Sequence, residues 1–350
     1  MKTKIISAHT NELPEGASED HPSESIIQRL INLLNNLRDG EDAMDRLVAC
    51  GARAIPFVQK YLIEGKPSHI YQPRQRAVKV LAKLGAKEAL IQYLSTPREI
   101  ADPIIRFGEE AVENEAARAL SAWNTEDVFE TLLSIAHVKH LSGVIETLGS
   151  FQRVETIPVF IEALGDDMCT TAAMDALRRL GKIVKPALIY ILGNSEDHDY
   201  YESPSNMMRR RSAIQILNKL SVTPEEWQTI RGLLHDKDAV IRIAASRLAL
   251  DSGALDDKSV ALEKLIEAIP YSEWYLQVEI EDYLLKHSDF AGRRIETEVT
   301  KRLSLFETTG EEDPILQTLL HIRRKIKTNG NRRHNGSAVS QYHEGSDESP

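Results

Sequence analysis

Eight basic residues in this chain recur at matched positions of a helical repeat: Lys79, Lys83, Arg118, Lys139, Arg179, Arg211, Lys219 and Arg242, against a single acid, Asp175. Arg178, Arg209 and Arg210 lie close by. A guanidinium is a planar fork of N–H donors that grips a carboxylate or phosphate through two bonds, and an ammonium is a compact point charge. A row of such groups is the chemistry of an anion-recognising surface, suited to an acidic peptide, an acidic protein patch or a phosphate-bearing ligand. Its binding would be salt-sensitive. The same residues also suit a structural ladder between repeats, in which Arg242 pairs with Asp238.

A second candidate surface is the acidic stretch 194–205, where His198, Tyr200 and Tyr201 cluster. Tyrosines are amphipathic and favoured at interfaces, although one of the two can equally fold back on the helices. Catalytic constellations are thin. His137 and His140 stand three apart, and His198 sits between Asp197 and Asp199, but neither group brings the third ligand that a zinc site needs. They read as surface histidines, and no metal or cofactor is expected. There is no glycine-rich phosphate loop and no Gly-x-Ser-x-Gly elbow. The basic run Arg323, Arg324, Lys325, Lys327, Arg332 and Arg333 could touch nucleic acid, but it is explained at less cost by attraction to a helix C-terminus followed by a solvated tail.

What positions these residues is a nine-residue pattern: an apolar residue, apolar again four and seven positions on, then a turn residue. It reads Ala77, Leu81, Leu84, Gly85; Ala116, Leu120, Trp123, Asn124; Leu141, Ile145, Leu148, Gly149; Ala173, Leu177, Leu180, Gly181; and Ala213, Leu217, Leu220, Ser221. Weaker copies end at Gly51, Ser252 and Ser288. Offsets of zero, four and seven share one helix face. The Gly, Asn or Ser that follows suits the left-handed residue beyond a helix end. The mean step between turn residues is about 34 residues, the period of an α-solenoid. One helix pair cannot bury its apolar stripe alone, so pairs must stack. Pro56 and Pro186 each follow a turn glycine by five residues, and Pro158 follows Gly149 after a longer turn, in the first helical turn where a missing N–H costs nothing. The basic columns lie two, six and ten residues before each turn residue, off the apolar stripe.

Cys50-Gly51-Ala52-Arg53-Ala54-Ile55-Pro56, Leu84-Gly85-Ala86, Leu180-Gly181 with Pro186-Ala187-Leu188, and Asp238-Ala239-Val240-Ile241-Arg242 resemble the bacterial HEAT repeats named after phycobilisome lyases. The resemblance covers about residues 40 to 290. It implies an all-α, right-handed α-solenoid of about eight helix pairs in which the second helix of each pair lines a concave face, so the basic columns would form a stripe along that groove. Such repeats serve scaffolds, chaperone-like partners, bilin lyases and some DNA glycosylases. Glycosylases of this type place a tryptophan and a catalytic aspartate in a basic groove; Trp123 and Asp127 are the echo here, with Trp123 on a core column and Asp127 at a helix start, where an aspartate is ordinary capping chemistry. No motif in the chain carries bilin-lyase function.

A net charge of −10 argues against general nucleic-acid binding or an anionic membrane surface. No apolar run reaches the length of a membrane span, and Ile5-Ile6 is too short for a signal-peptide core. Two cysteines give no disulfide framework; Cys50, on a core column, reads as a buried thiol, and a reducing, cytoplasmic setting fits. Residues 1–22 and 328–350 read as disordered ends around one continuous helical domain, 23–327, with loop insertions near 95–108 and 194–205. A helix from Pro314 to about Lys327 caps the stack. The expectation is a non-enzymatic scaffold that binds another protein along a basic concave groove.

Overall fold

The computed structural model describes residues 24–193, 202–309, 313 and 315–339, and among them every regular element is helical, with no strand. The chain divides into two compact units, with the boundary between Phe151 and Gln152. The first holds α1 (Glu24–Leu33), α2 (Gly40–Ala49), α3 (Ile55–Glu64), α4 (Gln72–Lys83), α5 (Lys87–Ser95), α6 (Pro103–Ala119), α7 (Glu126–Ala136) and α8 (Ser142–Phe151). The second holds α9 (Ile157–Ala163), α10 (Thr170–Leu180), α11 (Lys185–Gly193), α12 (Pro204–Leu220), α13 (Pro224–Ile230), α14 (Ala239–Ser252), α15 (Leu255–Ala268), α16 (Trp274–Lys286), α17 (Ser288–Thr309) and α18 (Leu316–Val339).

Within each unit the helices form two rows. In the first, α2 packs on α4, α4 on α6 and α6 on α8, while α1, α3, α5 and α7 pack in series behind them. In the second, α10, α12 and α14 form one row and α9, α11 and α13 the other, and α16, α17 and α18 pack on one another. The apolar pattern explains the rows. Its first two columns are buried in every copy, from Ala43 and Leu47 to Ile280 and Leu284. Its third column is not: Leu148 is buried, but Cys50, Leu84, Trp123, Leu180 and Leu220 are half-buried, because they fall at or just past the helix end, at the edge of the contact. Cys50 and Trp123 therefore lack the core role that the pattern assigns them.

Four of the turn positions take a positive φ: Gly51 (65°), Gly85 (70°), Gly181 (71°) and Ser221 (58°). Asn124, Gly149, Ser252 and Ser288 do not: Ser252 ends α14, Ser288 opens α17, and Gly149 is buried inside α8, the left-handed residue there being Gln152 (φ 53°), three residues later. After Gly51 and Gly181 a short 3-10 turn leads into the next helix, with Pro56 and Pro186 in its first turn. Of the expected insertions, 96–102 is irregular and 103–108 belongs to α6, while of 194–205 the described residues are 202–205, where α12 begins at Pro204. Asp102 accepts from the Ile104 and Ile105 N–H groups and Ser203 from Asn206 N–H, and each is followed by a proline that opens a seventeen-residue helix. The last helix likewise runs past Lys327 to Val339, into residues whose composition suggests a disordered tail. Burial of Ile315, Leu316, Leu319 and Ile322 fixes its first turns, and each further residue then propagates the helix at low cost.

Ser221 is the exception among these turns. With φ 58° and ψ 157° it occupies a region that is open to glycine and costs other residues about 1–3 kcal/mol. Ser221→Gly is expected to stabilise the protein by about 1 kcal/mol, the strain relieved exceeding the extra freedom given to the unfolded chain. Urea unfolding should show a higher midpoint at unchanged slope; an unchanged or lower midpoint would refute it.

Candidate functional site

In the first unit the basic columns are met by acids on neighbouring helices. Lys83 on α4 reaches Asp45 on α2 at 3.0 Å, and Lys79 reaches Glu115 on α6 at 3.9 Å. Arg118 on α6 makes a two-pronged pair with Glu146 on α8, at 2.6 and 3.1 Å, and touches Ser142 Oγ. Lys139, between α7 and α8, pairs with Glu113. Burial raises the Glu113 carboxyl above its ordinary range even though Lys139 opposes the shift. Four cations thus face four carboxylates, and the exposed pairs among them, Lys83–Asp45, Lys79–Glu115 and Arg118–Glu146, cancel a field while adding little stability.

The second unit differs. Arg178 pairs with Asp175 on its own helix at 3.0 Å, and Arg211 on α12 pairs with Asp238, which also caps α14 by accepting from Ile241 N–H. Burial alone would raise the Asp238 carboxyl, but the Arg211 guanidinium and the helix N–H groups overrule it and hold it low. The expected Asp238–Arg242 pairing is replaced: Arg242 donates to the carbonyls of Asp236 (2.6 Å) and Lys237 (2.8 Å), while Arg211 takes Asp238. Among the described residues, Arg179 and Lys219 are exposed and have no ion-pair partner. His198, Tyr200 and Tyr201 lie outside the described residues.

Lys219 borders a concavity of about 180 Å³ formed by α10, α12, α14 and α16, where Arg178, Arg247, Ile243, Tyr275 and Leu276 also contribute. Arg247 is paired with Glu279 at 2.5 Å and lies over the Tyr283 ring at 4.4 Å. On the other side of Ile243 is a second concavity of about 310 Å³, lined by Arg242, Lys264, Ala268 and Tyr271. Along this edge three aromatics stand in water: Tyr271 is 91% exposed, Trp274 79% and Tyr275 51%, with Val278 beside them. Charge columns alone miss this cluster. Its signal is a run of three aromatics in five residues in a chain with 6% aromatics. Trp274 and Tyr275 also precede buried Ile280 by six and five positions, off the spacing that shares its face.

The residues of the enzyme alternatives are placed as follows. Asp127 opens α7 and is bound by Lys87 Nζ at 2.7 Å; that hydrogen bond, with help from Thr125, brings its carboxyl down to about 2. Trp123 lies outside the preceding helix, half-exposed. His137 is exposed and His140 half-buried, and among the described residues no group of three or more His, Cys, Asp or Glu is arranged to hold a metal. Cys169 is buried and Cys50 half-buried, and neither forms a disulfide. No described helix is long and apolar enough to cross a membrane. Comparison with protein-family models and with curated protein sequences gives no match.

Proposed function

We propose that this chain is a non-catalytic α-solenoid of about eight HEAT-like helix pairs, wound as a right-handed superhelix, and that it serves in the cytoplasm as an adaptor for another protein. The row α10–α12–α14 with α16 presents the binding face. The observation that carries this reading is the exposure of Tyr271, Trp274 and Tyr275 beside two small concavities rimmed by arginine and lysine. Exposed large apolar groups in one place, bordered by polar ones, mark contact surfaces, and Trp, Tyr and Arg are the residues that dominate binding energy there. The basic columns of the first unit support a structural role instead, since each cation has its carboxylate. Catalysis has less support: the Asp127 carboxyl, held at about 2 by Lys87, is a poor general base near neutral pH.

The test compares the full chain with a Tyr271→Ala, Trp274→Ala double variant as bait in extracts of the native cell. Because both side chains are exposed, each substitution should change stability by no more than about 0.5 kcal/mol. Loss of two aromatic anchors should weaken retention of the partner at least tenfold. Equal recovery of the same partner by both baits would exclude this face as the site.

A further inference from the structure

We infer that the two concavities either side of Ile243 take a short linear segment of a partner protein, one that places two apolar or aromatic side chains in them and carries aspartate or glutamate next to the first. The inference deepens the reading of this face as a protein-binding surface and rests on it.

Three features of the site point to that occupant. First, shape: two small concavities of about 180 and 310 Å³ share Ile243, an arrangement that suits separate side chains of one segment better than a single packed helix. Both have an apolar wall in Ile243 and an aromatic lip, Tyr275 for one and Tyr271 for the other. Second, charge: the first concavity carries Arg178, Lys219 and Arg247 against Glu279 as its acid. Arg178 and Arg247 are engaged by Asp175 and Glu279, so Lys219 is the cation left to meet an incoming carboxylate. In the second, Lys264 is taken up by Glu267 at 2.9 Å, and Arg242 keeps its charge but has donors occupied by backbone carbonyls. The cation with its donors still open is thus Lys219, at the first end. Third, the total charge of −10 opposes a polyanion such as nucleic acid, whose many phosphates meet the whole field. A segment with one or two acids meets mainly the local one.

Trp274 makes the test direct. Of the three tryptophans, Trp227 is fully buried and half-exposed Trp123 belongs to the first unit and lines neither concavity, so the strongly exposed Trp274, next to Tyr275, should give the emission change when its surroundings dry on binding. The full-length protein is titrated with an array of acetylated ten-residue peptides. Each holds two Phe or Leu residues two to five positions apart, flanked by Glu, Ala or Lys. Glu-flanked members are expected to blue-shift the emission and to bind at least tenfold more tightly than their Lys-flanked counterparts, with affinity falling as NaCl rises. Lys219→Glu should remove that preference while leaving Ala-flanked binding within twofold. Trp274→Phe should abolish the shift but keep binding by anisotropy.

Preference for Lys-flanked peptides, or none between the two sets, overturns the inference. So does equal binding of a single-stranded oligonucleotide that Lys219→Glu weakens, or a fall from dimer to monomer in sedimentation on Trp274→Ala, which would make a second copy of this chain the occupant. If the native partner still depends on Tyr271 and Trp274 while no acidic preference exists, the protein-binding reading survives and the acidic segment does not. If neither holds, both fail.

Discussion

Glu109→Ala is expected to lower the stability of the first unit by about 3–5 kcal/mol, the cost of removing one partner from a buried ion pair. Arg74 and Glu109 are both 3% exposed and joined by two bonds, Nε to Oε2 at 3.0 Å and Nη2 to Oε1 at 2.8 Å. The same carboxylate accepts from the Tyr93 hydroxyl at 2.7 Å and faces Arg98 Nε at 3.4 Å, while Arg98 lies over the Tyr93 ring. Burial, then the Glu109 charge, pushes the Tyr93 hydroxyl far above its ordinary range, so it remains a donor throughout the working pH range. Without Glu109, two guanidiniums are left close together in the interior without the carboxylate they share. Arg74 also ties down the end of α3, donating to the carbonyls of Leu62 (2.8 Å) and Gly65 (3.0 Å). Arg74→Lys should therefore fail to restore stability, since an ammonium cannot span carboxylate and carbonyls together. Hydrogen exchange of α4–α6 amides is the measurement, with the exposed partner in the Arg76–Glu41 pair as control: Glu41→Ala should cost under about 1 kcal/mol. A loss from Glu109→Ala as small as the control would show that the cluster is not holding these helices together.

None of that cluster is legible in the sequence, and the reason is geometric. Arg74 and Glu109 are 35 residues apart, and helical register assigns each to a face without saying which faces meet. The basic columns show the same limit. Lys83, Arg118 and Arg211 are exposed or half-exposed on α4, α6 and α12, but Asp45, Glu146 and Asp238 belong to neighbouring helices or their caps, and counting one helix at a time leaves them out. What sequence does report well is local. A turn residue takes positive φ at Gly51, Gly85, Gly181 and Ser221, though not at Asn124, Ser252 or Ser288, and the caps Asp102-Pro103 and Ser203-Pro204 escape the pattern where the long step suggests loops. At Gly149 the pattern places the stop too early, since α8 runs on to Phe151. Trp274 was hidden for a related reason: a pattern that weighs apolar residues for the core gives no weight to an aromatic off the stripe.

The columns of the pattern make unequal claims on stability, and α10 separates them within one helix. Leu177→Ala is expected to cost about 2–5 kcal/mol, and Leu180→Ala, three residues on, about 1 kcal/mol or less. Leu177 is fully buried where α10 packs against α9 and α12, so truncation loses both transfer energy and contacts across the cavity that remains. Leu180 is the residue before left-handed Gly181 and is half-buried; water can reach the space that its side chain leaves. The same contrast should hold at Leu217 against Leu220 and at Leu81 against Leu84, because each pair has the same offsets from its turn. Denaturant midpoints for the six variants decide the matter. If the third column costs as much as the second, the last turn of each helix belongs to the core. If it does not, the side chains at 84, 180 and 220 are free to vary with little loss of fold.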